Sequence, residues 1–263
     1  MYQDRRCRLS LRMSMLSSEP SSVLAGRAVA AYGGAARWRA ANTVDAHFDC
    51  GGLLFGWKRR TLRFPDLHIR CAVREPLVRI EPIDARGHAA ILEGHDVRLE
   101  RPGGSTVDLR RDAGRRFPYG RRLLSWDQLD LAYFLTQAMW NYLVLPGLLL
   151  REDIEWRQLS GSTLEGRFPA HLPTHCAVQQ YRFDPLSGLL EQYDYTAEAF
   201  GRWAKAAHLV TEHRTAGGLA YTARRRVKPR GPGGAPLPGP LLIWADIHRF
   251  ALLPPSPDRD ESP

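Results

Sequence analysis

The stretch from Leu131 to Leu150, LAYFLTQAMWNYLVLPGLLL, runs twenty residues without a formal charge in a chain otherwise dense in arginine. On either side the chain alternates apolar and polar residues between Gly, Pro and Asp turns, the pattern of short antiparallel strands. One buried helix wrapped by sheet satisfies both signals. About twenty apolar residues could also span a bilayer. Gln137 and Asn141, however, sit mid-run where lipid offers no partner, and Pro146 and Gly147 break the far end. Arginines stand on both flanks (Arg121, Arg122, Arg151), so no orientation is encoded and no membrane span is expected.

Ser125 suits an N-cap and Gln128 lies three residues on, so the two are expected to form a capping box, with Asp127 and Asp130 adding negative charge to the first turn. From Trp126 to Leu145 the helix would be about 30 Å long at ~1.5 Å per residue. Leu129, Tyr133, Trp140 and Val144 lie on one side and Leu131, Phe134, Leu135, Ala138, Tyr142 and Leu145 on the others. A helix apolar all round is buried all round.

With 263 residues, 44% of them hydrophobic and 25% charged, the chain has material for one large core, and no internal repeat divides it. A single domain over residues 23–253 is expected. The stretch PRGPGGAPLPGP from Pro229 to Pro240 reads as a connecting loop inside it. Residues 1–22 carry Arg5, Arg6, Arg8 and Arg12 but no continuous apolar core or cleavage site, so they are expected to be disordered or to precede a start at Met13 or Met15. The tail 254–263 lacks core-forming residues and is expected to be disordered. Cys7, Cys50, Cys71 and Cys176 show no metal-ligand spacing; they read as reduced, buried thiols, which with no secretory signal evident gives a cytoplasmic expectation.

The net charge of +9 invites nucleic acid. The basic residues are scattered, with Lys58, Lys205 and Lys228 as the lysines, and the densest run, Arg224, Arg225 and Arg226, would be split between two faces by strand alternation. No nucleic-acid partner is expected.

From Ser22 the pattern VLAGRAVAAYGGAARWRAA predicts an Ala-rich helix in two pieces, interrupted at Gly33 and Gly34, with Val23, Ala30 and Trp38 packing inward. In HIRCAVR, Ile69, Cys71 and Val73 alternate with polar neighbours; Val97 and Leu99, then Val107 and Leu109, do the same around a Pro102–Gly104 turn. This is a meander of hairpins. After the helix, Val178–Phe183, LLEQYDYTAE, AAHLVTEHR, AYTARRRV and LLIWADIHRF continue it. Strands before the helix, strands after it and no βαβ alternation predict an α+β fold: a curved antiparallel sheet around a buried central helix, preceded by an N-terminal helix.

A leading Ala-rich helix, a meander, a mid-chain buried helix and hairpins of the type YRFDPLSGLLEQYDYT and GLAYTARRRV together resemble the half-open β-barrel family of the lipoprotein carrier LolA and its relatives, over about Val23 to Phe250. The resemblance implies an incomplete barrel whose apolar inner face is lidded by helices and holds acyl chains. The carrier is periplasmic and made with a signal peptide, so shape and kind of ligand are carried over, not the pathway.

Candidate chemistry is sparse. His171 and His175 have the i, i+4 spacing of a metal pair, but Pro173 rules out a helix between them and an extended segment holds them too far apart, so no metal site is expected. His208 and Glu212 share a face of one predicted strand and Asp194 lies in another, so His208 with Asp194 could make a general acid/base pair; a self-satisfied buried polar network is the simpler account, since buried polar groups must pair anyway. Asp246 and His248 share a face of the last strand. No phosphate loop, GxSxG or HExxH occurs, and no cofactor is expected. Trp126, Trp140, Tyr133 and Tyr142 suit a core without any ligand. The expected function is binding of a hydrophobic or amphipathic small molecule or lipid in the concave face, with Tyr133, Trp140, Tyr195, His208 and Arg225 as candidate contacts. The alternatives are an enzyme (cyclase, isomerase or hydrolase) using His208 and Asp194 in the same cavity, or a subunit docking on a protein partner.

Overall fold

The computed structural model describes residues 22–117 and 119–255; the expectations for Cys7, for residues 1–21 and for most of the C-terminal tail lie outside them. The chain opens with two short helices, α1 (Val23–Ala31) and α2 (Ala35–Ala40), separated at Gly33 and Gly34. Their φ angles of 94° and 86° are costly for any residue with a Cβ. The inward residues differ from expectation. The Ser22 hydroxyl accepts from Ala25 N, and this start turns Leu24, Ala25, Ala28 and Val29 to the core while Val23 and Ala30 face out; Trp38 is buried as expected.

Among the described residues thirteen strands form one sheet: β1 (Thr43–Gly51), β2 (Arg63–Ala72), β3 (Leu77–Glu81), β4 (Ala89–Glu93), β5 (Asp96–Glu100), β6 (Thr106–Arg110), β7 (Glu155–Gln158), β8 (Thr163–Arg167), β9 (Val178–Phe183), β10 (Leu190–Thr196), β11 (Lys205–Ala216), β12 (Leu219–Pro229) and β13 (Ile243–Leu253). The spatial order is β6-β5-β4-β3-β2-β1-β13-β12-β11-β10-β9-β8-β7. Two antiparallel meanders are thus fused where the first strand pairs with the last, Thr43 opposite Leu253 and Gly51 opposite Trp244. The sheet is curved and unclosed, with edges at β6 and β7, and the expected α+β half-open barrel is what forms.

A short helix α3 (Leu53–Trp57) follows β1, and the chain passes from edge β6 to edge β7 through α4 (Gln128–Leu143) and α5 (Leu145–Leu148). Every α4 residue from Leu129 to Leu143 is buried, including the polar Thr136, Gln137 and Asn141. Among the described residues no helix is long and apolar enough to cross a membrane. The helix start corrects the sequence reading. Its N-cap is Asp127, not Ser125, and the capping box joins Asp127 to Asp130. The physical reason is charge: Asp130 accepts from Arg110 (2.5 Å), Arg121 (2.8 Å) and Arg122 (2.6 Å), which fixes the carboxylates at the positive end of the helix. The helix ends at Leu143, about 24 Å long at ~1.5 Å per residue, because Pro146 is accommodated in the first turn of α5, where its missing N–H costs nothing.

Arg110 also explains β6. Val97 lies opposite Arg110 and Leu99 opposite Asp108, so Arg110 points inward to the carboxylates and Val107 and Leu109 face solvent, the reverse of the expected burial. The two halves of the barrel differ inside. The backbone of α4 lies against β3–β6, whose inward side chains apart from those of β6 are largely apolar, among them Val78, Ile80, Leu92 and Val97. Toward β9–β12 the gap to the helix is filled by long aromatic and polar side chains.

Candidate functional site

Alternation along paired strands decides which side chains enter that gap. Tyr193 is opposite both Tyr181 and His208, and Tyr195 is opposite Ala206, so Tyr181, Tyr193, Tyr195 and His208 share the inner face. On β12, Arg225 points inward while Arg224 and Arg226 point out, to Glu212 (3.2 Å) and Asp246 (2.6 Å) respectively. The predicted splitting of the arginine run is therefore real. His175 enters from the loop between β8 and β9, and Gln137 and Tyr142 enter from α4.

Hydrogen bonds join these groups into one chain. Arg225 Nη1 lies 3.4 Å from His208 Nε2, His208 Nδ1 3.5 Å from Tyr195 Oη, Tyr195 Oη 3.0 Å from Tyr142 Oη, and Tyr142 Oη 2.8 Å from His175 Nε2. A guanidinium has only donors, so His208 Nε2 is the acceptor and Nδ1 carries the proton. The donation then runs from His208 to Tyr195, Tyr142 and His175 Nε2, leaving His175 Nδ1 protonated against the Gln137 amide. Gln137 Oε1 is a buried acceptor without a partner while its Nε2 faces His175 Nδ1 at 3.1 Å, and turning the amide over puts the oxygen on that N–H. Tyr195 stacks on His175 with centroids 4.1 Å apart, and the edge-on rings of Tyr142 and His208 are 4.5 Å apart.

The electrostatics are unequal. Burial holds His208 well below the ordinary imidazole range, with Arg225 and His175 adding to the effect, and burial alone pushes His175 down to about 3. Burial pushes the phenols of Tyr142, Tyr193 and Tyr195 up. The imidazoles and phenols are thus uncharged at neutral pH. The exception is Arg225, 1% exposed, whose guanidinium donates to Thr222 Oγ1 (2.9 Å) and the Tyr142 carbonyl (2.9 Å) and sits 4.8 Å from the Tyr142 ring. Among the described residues no carboxylate pairs with it.

Arg225 borders a cavity of about 10 Å³, lined by Tyr32 and Trp38 of the α1–α2 hairpin, Tyr142 and Pro146 at the α4–α5 junction, Thr222 and Tyr221 of β12, and Phe250 of β13. That is room for one water. Phe250, stacked on Tyr221 at 5.2 Å, also borders an open groove of about 440 Å³ whose walls include Ala40, Ala41, Ala216, Leu219 and Leu252. The hairpin closes over the site through Tyr32, which accepts from Leu190 N (3.0 Å) and meets His213 Nε2 (3.0 Å), and through Arg37, which donates to the Gly217 carbonyl (3.1 Å).

Of the residues singled out in the sequence, Tyr195, His208 and Arg225 come together. Tyr133 and Trp140 do not join them: Trp140 is core, donating to the Ala72 carbonyl (2.9 Å), and Tyr133 reaches His95 (3.4 Å) near β5. Asp194 is separated from His208, which corrects the proposed acid/base pair. It lies opposite Ala207 on the outer face, bound by Gln192 (2.7 Å) under the loop that follows β12. Glu212 also leaves the His208 face, because a bulge between Val210 and Glu212 reverses the alternation. His171 pairs with Asp153 (2.9 Å) and His175 is buried, so the two do not meet. The sequence missed Tyr32, Gln137, His175 and Thr222. Polar residues inside an apolar helix were the available signal for Gln137.

No protein-family model matches the chain, and no curated protein does. Solved structures match across most of its length. A LolA superfamily protein from Nitrosomonas europaea aligns over 83% of this chain and 88% of its own, at 12% identity and a TM-score of 0.45. A DUF1329 family protein from Desulfovibrio piger aligns over 93% and 96%, at 11% identity and 0.48. A domain described as an outer membrane lipoprotein-sorting protein, from Vibrio parahaemolyticus, aligns over 95% and 96%, at 7% identity and 0.42. The likeness to these structures is one of fold alone.

Proposed function

We propose that the protein binds and carries a hydrophobic or amphipathic small molecule between the concave face of its sheet and the helices covering it. The polar end would meet Arg225, His208 and Tyr142, and the apolar part would pass Phe250 into the outer groove. The observation that supports this most is a buried guanidinium without a carboxylate beside a small cavity that Phe250 separates from an apolar outer groove. Removing apolar area from water contributes roughly 25 cal/mol per Å², so a lipid-sized molecule gains affinity from the groove alone. A cavity of about 10 Å³ cannot hold it, so binding has to displace Phe250 or the α1–α2 hairpin. The reading keeps a cytoplasmic location as part of the proposal, the buried Cys50, Cys71 and Cys176 being free thiols.

Native mass spectrometry of the purified chain beside its denatured mass tests it. A recurrent hydrophobic adduct at near-integral stoichiometry is expected. A bare mass that fatty acids, phospholipids and polyketide-like compounds all fail to shift would overturn the carrier reading. The polarised chain from His208 to His175 favours one second reading, an enzyme moving a proton within the same site. Substitution His208→Ala separates the two: carriage is weakened but largely retained, and turnover is abolished.

A further inference from the structure

Among the described residues three arginines are buried, and two of them are neutralised by the protein. Arg122 pairs with Asp130 at 2.6 Å and Arg151 with Asp153 at 2.6 Å, whereas Arg225 has no acid. Burying an ion costs several kcal/mol even after relaxation, and an unpaired one keeps that cost. What the fold offers Arg225 is the Tyr142 carbonyl in the last turn of α4, the negative end of a helix dipole equivalent to roughly half a charge. The neighbouring Tyr32, Tyr142, Tyr193 and Tyr195 phenols and His175, His208 and His213 imidazoles add no negative charge.

We infer that the site takes a carboxylate on an apolar chain, a single negative charge matched to Arg225 in the small cavity behind Phe250. The inference rests on the carrier reading and adds the class of head group. Three contacts engage Arg225, through Nε to Thr222, Nη2 to Tyr142 and Nη1 to His208. A guanidinium has five N–H donors, so each terminal nitrogen keeps one for a ligand, the number a carboxylate takes. A phosphate monoester would bring about two charges to one cation and leave an excess buried. An alcohol would leave the cation unneutralised. The apolar chain runs past Tyr221 and Phe250 into the outer groove, whose walls are alanine, leucine and phenylalanine with Arg37 at the rim.

Isothermal titration of the full chain at pH 7.5 with four probes of one chain length decides it: dodecanoic acid, dodecanol, dodecyl phosphate and dodecyltrimethylammonium. Dodecanoic acid is expected to bind at least tenfold more tightly than each of the others. Arg225→Gln is expected to erase that preference by weakening the acid far more than dodecanol, and Arg225→Lys, which keeps the charge, to retain part of it. Equal binding of acid and alcohol would overturn the head-group inference and leave the carrier reading standing. Tighter binding of dodecyl phosphate or of the ammonium would overturn the single-anion match. Binding of none would overturn both readings. If Arg225→Gln does not fold, the wild-type series decides alone.

Discussion

At Arg225 the molecule keeps a charge where folding alone would favour an apolar side chain, and the neighbouring groups are arranged around it without neutralising it. Tyr142 is the hinge of that arrangement, since its hydroxyl serves both His175 and Tyr195. Tyr142→Phe leaves two buried polar groups unsatisfied, and denaturant unfolding should show a loss of about 1–3 kcal/mol. Titration supplies a second expectation. His175 has a folded pKa of about 3, far below the ordinary imidazole value of about 6.5, because burial excludes the charged form. Its contribution is complete above pH 6.5, where neither state binds the proton, and is lost as pH falls toward 3, where the unfolded chain alone binds it. The slope is about 1.4 kcal/mol per pH unit for one histidine, with His208 acting in the same direction. Asp127 is held low despite burial by Arg110, so its own loss begins only as pH falls below the ordinary carboxylate value of about 4, outside the range from pH 7 to pH 5. Unfolding free energies measured at pH 7 and pH 5 should therefore differ by more than 1 kcal/mol, and His175→Gln should shrink the difference; a flat profile would contradict it. Arg225 was legible because three consecutive arginines on a strand must divide between faces. The Asp194–His208 pair was misread because alternation gives parity within a strand, while the relation between strands depends on register, which only pairing fixes.

Helix α4 was legible from its length and apolarity, and its first turn was not, because the arginines that select Asp127 and Asp130 come from β6 and from the residues before the helix. Asp130→Asn removes the carboxylate from three guanidinium groups, one of them on the buried Arg122. The expected cost is about 3–5 kcal/mol in denaturant unfolding, against about 1 kcal/mol for the more exposed cap in Asp127→Ala. Equal effects would mean that the arginine cluster contributes little. In the proposed binding mode the α1–α2 hairpin or Phe250 has to give way. Tyr32→Phe deletes the oxygen that holds it to Leu190 and His213. Hydrogen exchange should then accelerate in α1 and α2 and not in α4; unchanged exchange would place the opening elsewhere, with Phe250 the first alternative.

At the scale of the whole molecule, joining β1 to β13 turns two local meanders into one sheet, and the helical crossover from β6 to β7 is forced through its concave side. That much follows from short strands, turn residues and one long apolar run. The inequality of the two halves does not, since β3–β6 meet the helix directly while β9–β12 meet it through tyrosines and histidines whose partners are more than thirty residues away in sequence. This inequality places a polar cluster at one side of an apolar interior, the arrangement an amphiphile needs. The most direct measurement is a crystal structure of the full chain grown with dodecanoic acid. The account predicts density for one acid between β12–β13 and the α1–α2 hairpin, its carboxylate on Arg225 and its chain past a displaced Phe250. A cluster unchanged from the closed form, with the acid absent or bound only on the outer face of the sheet, would contradict it.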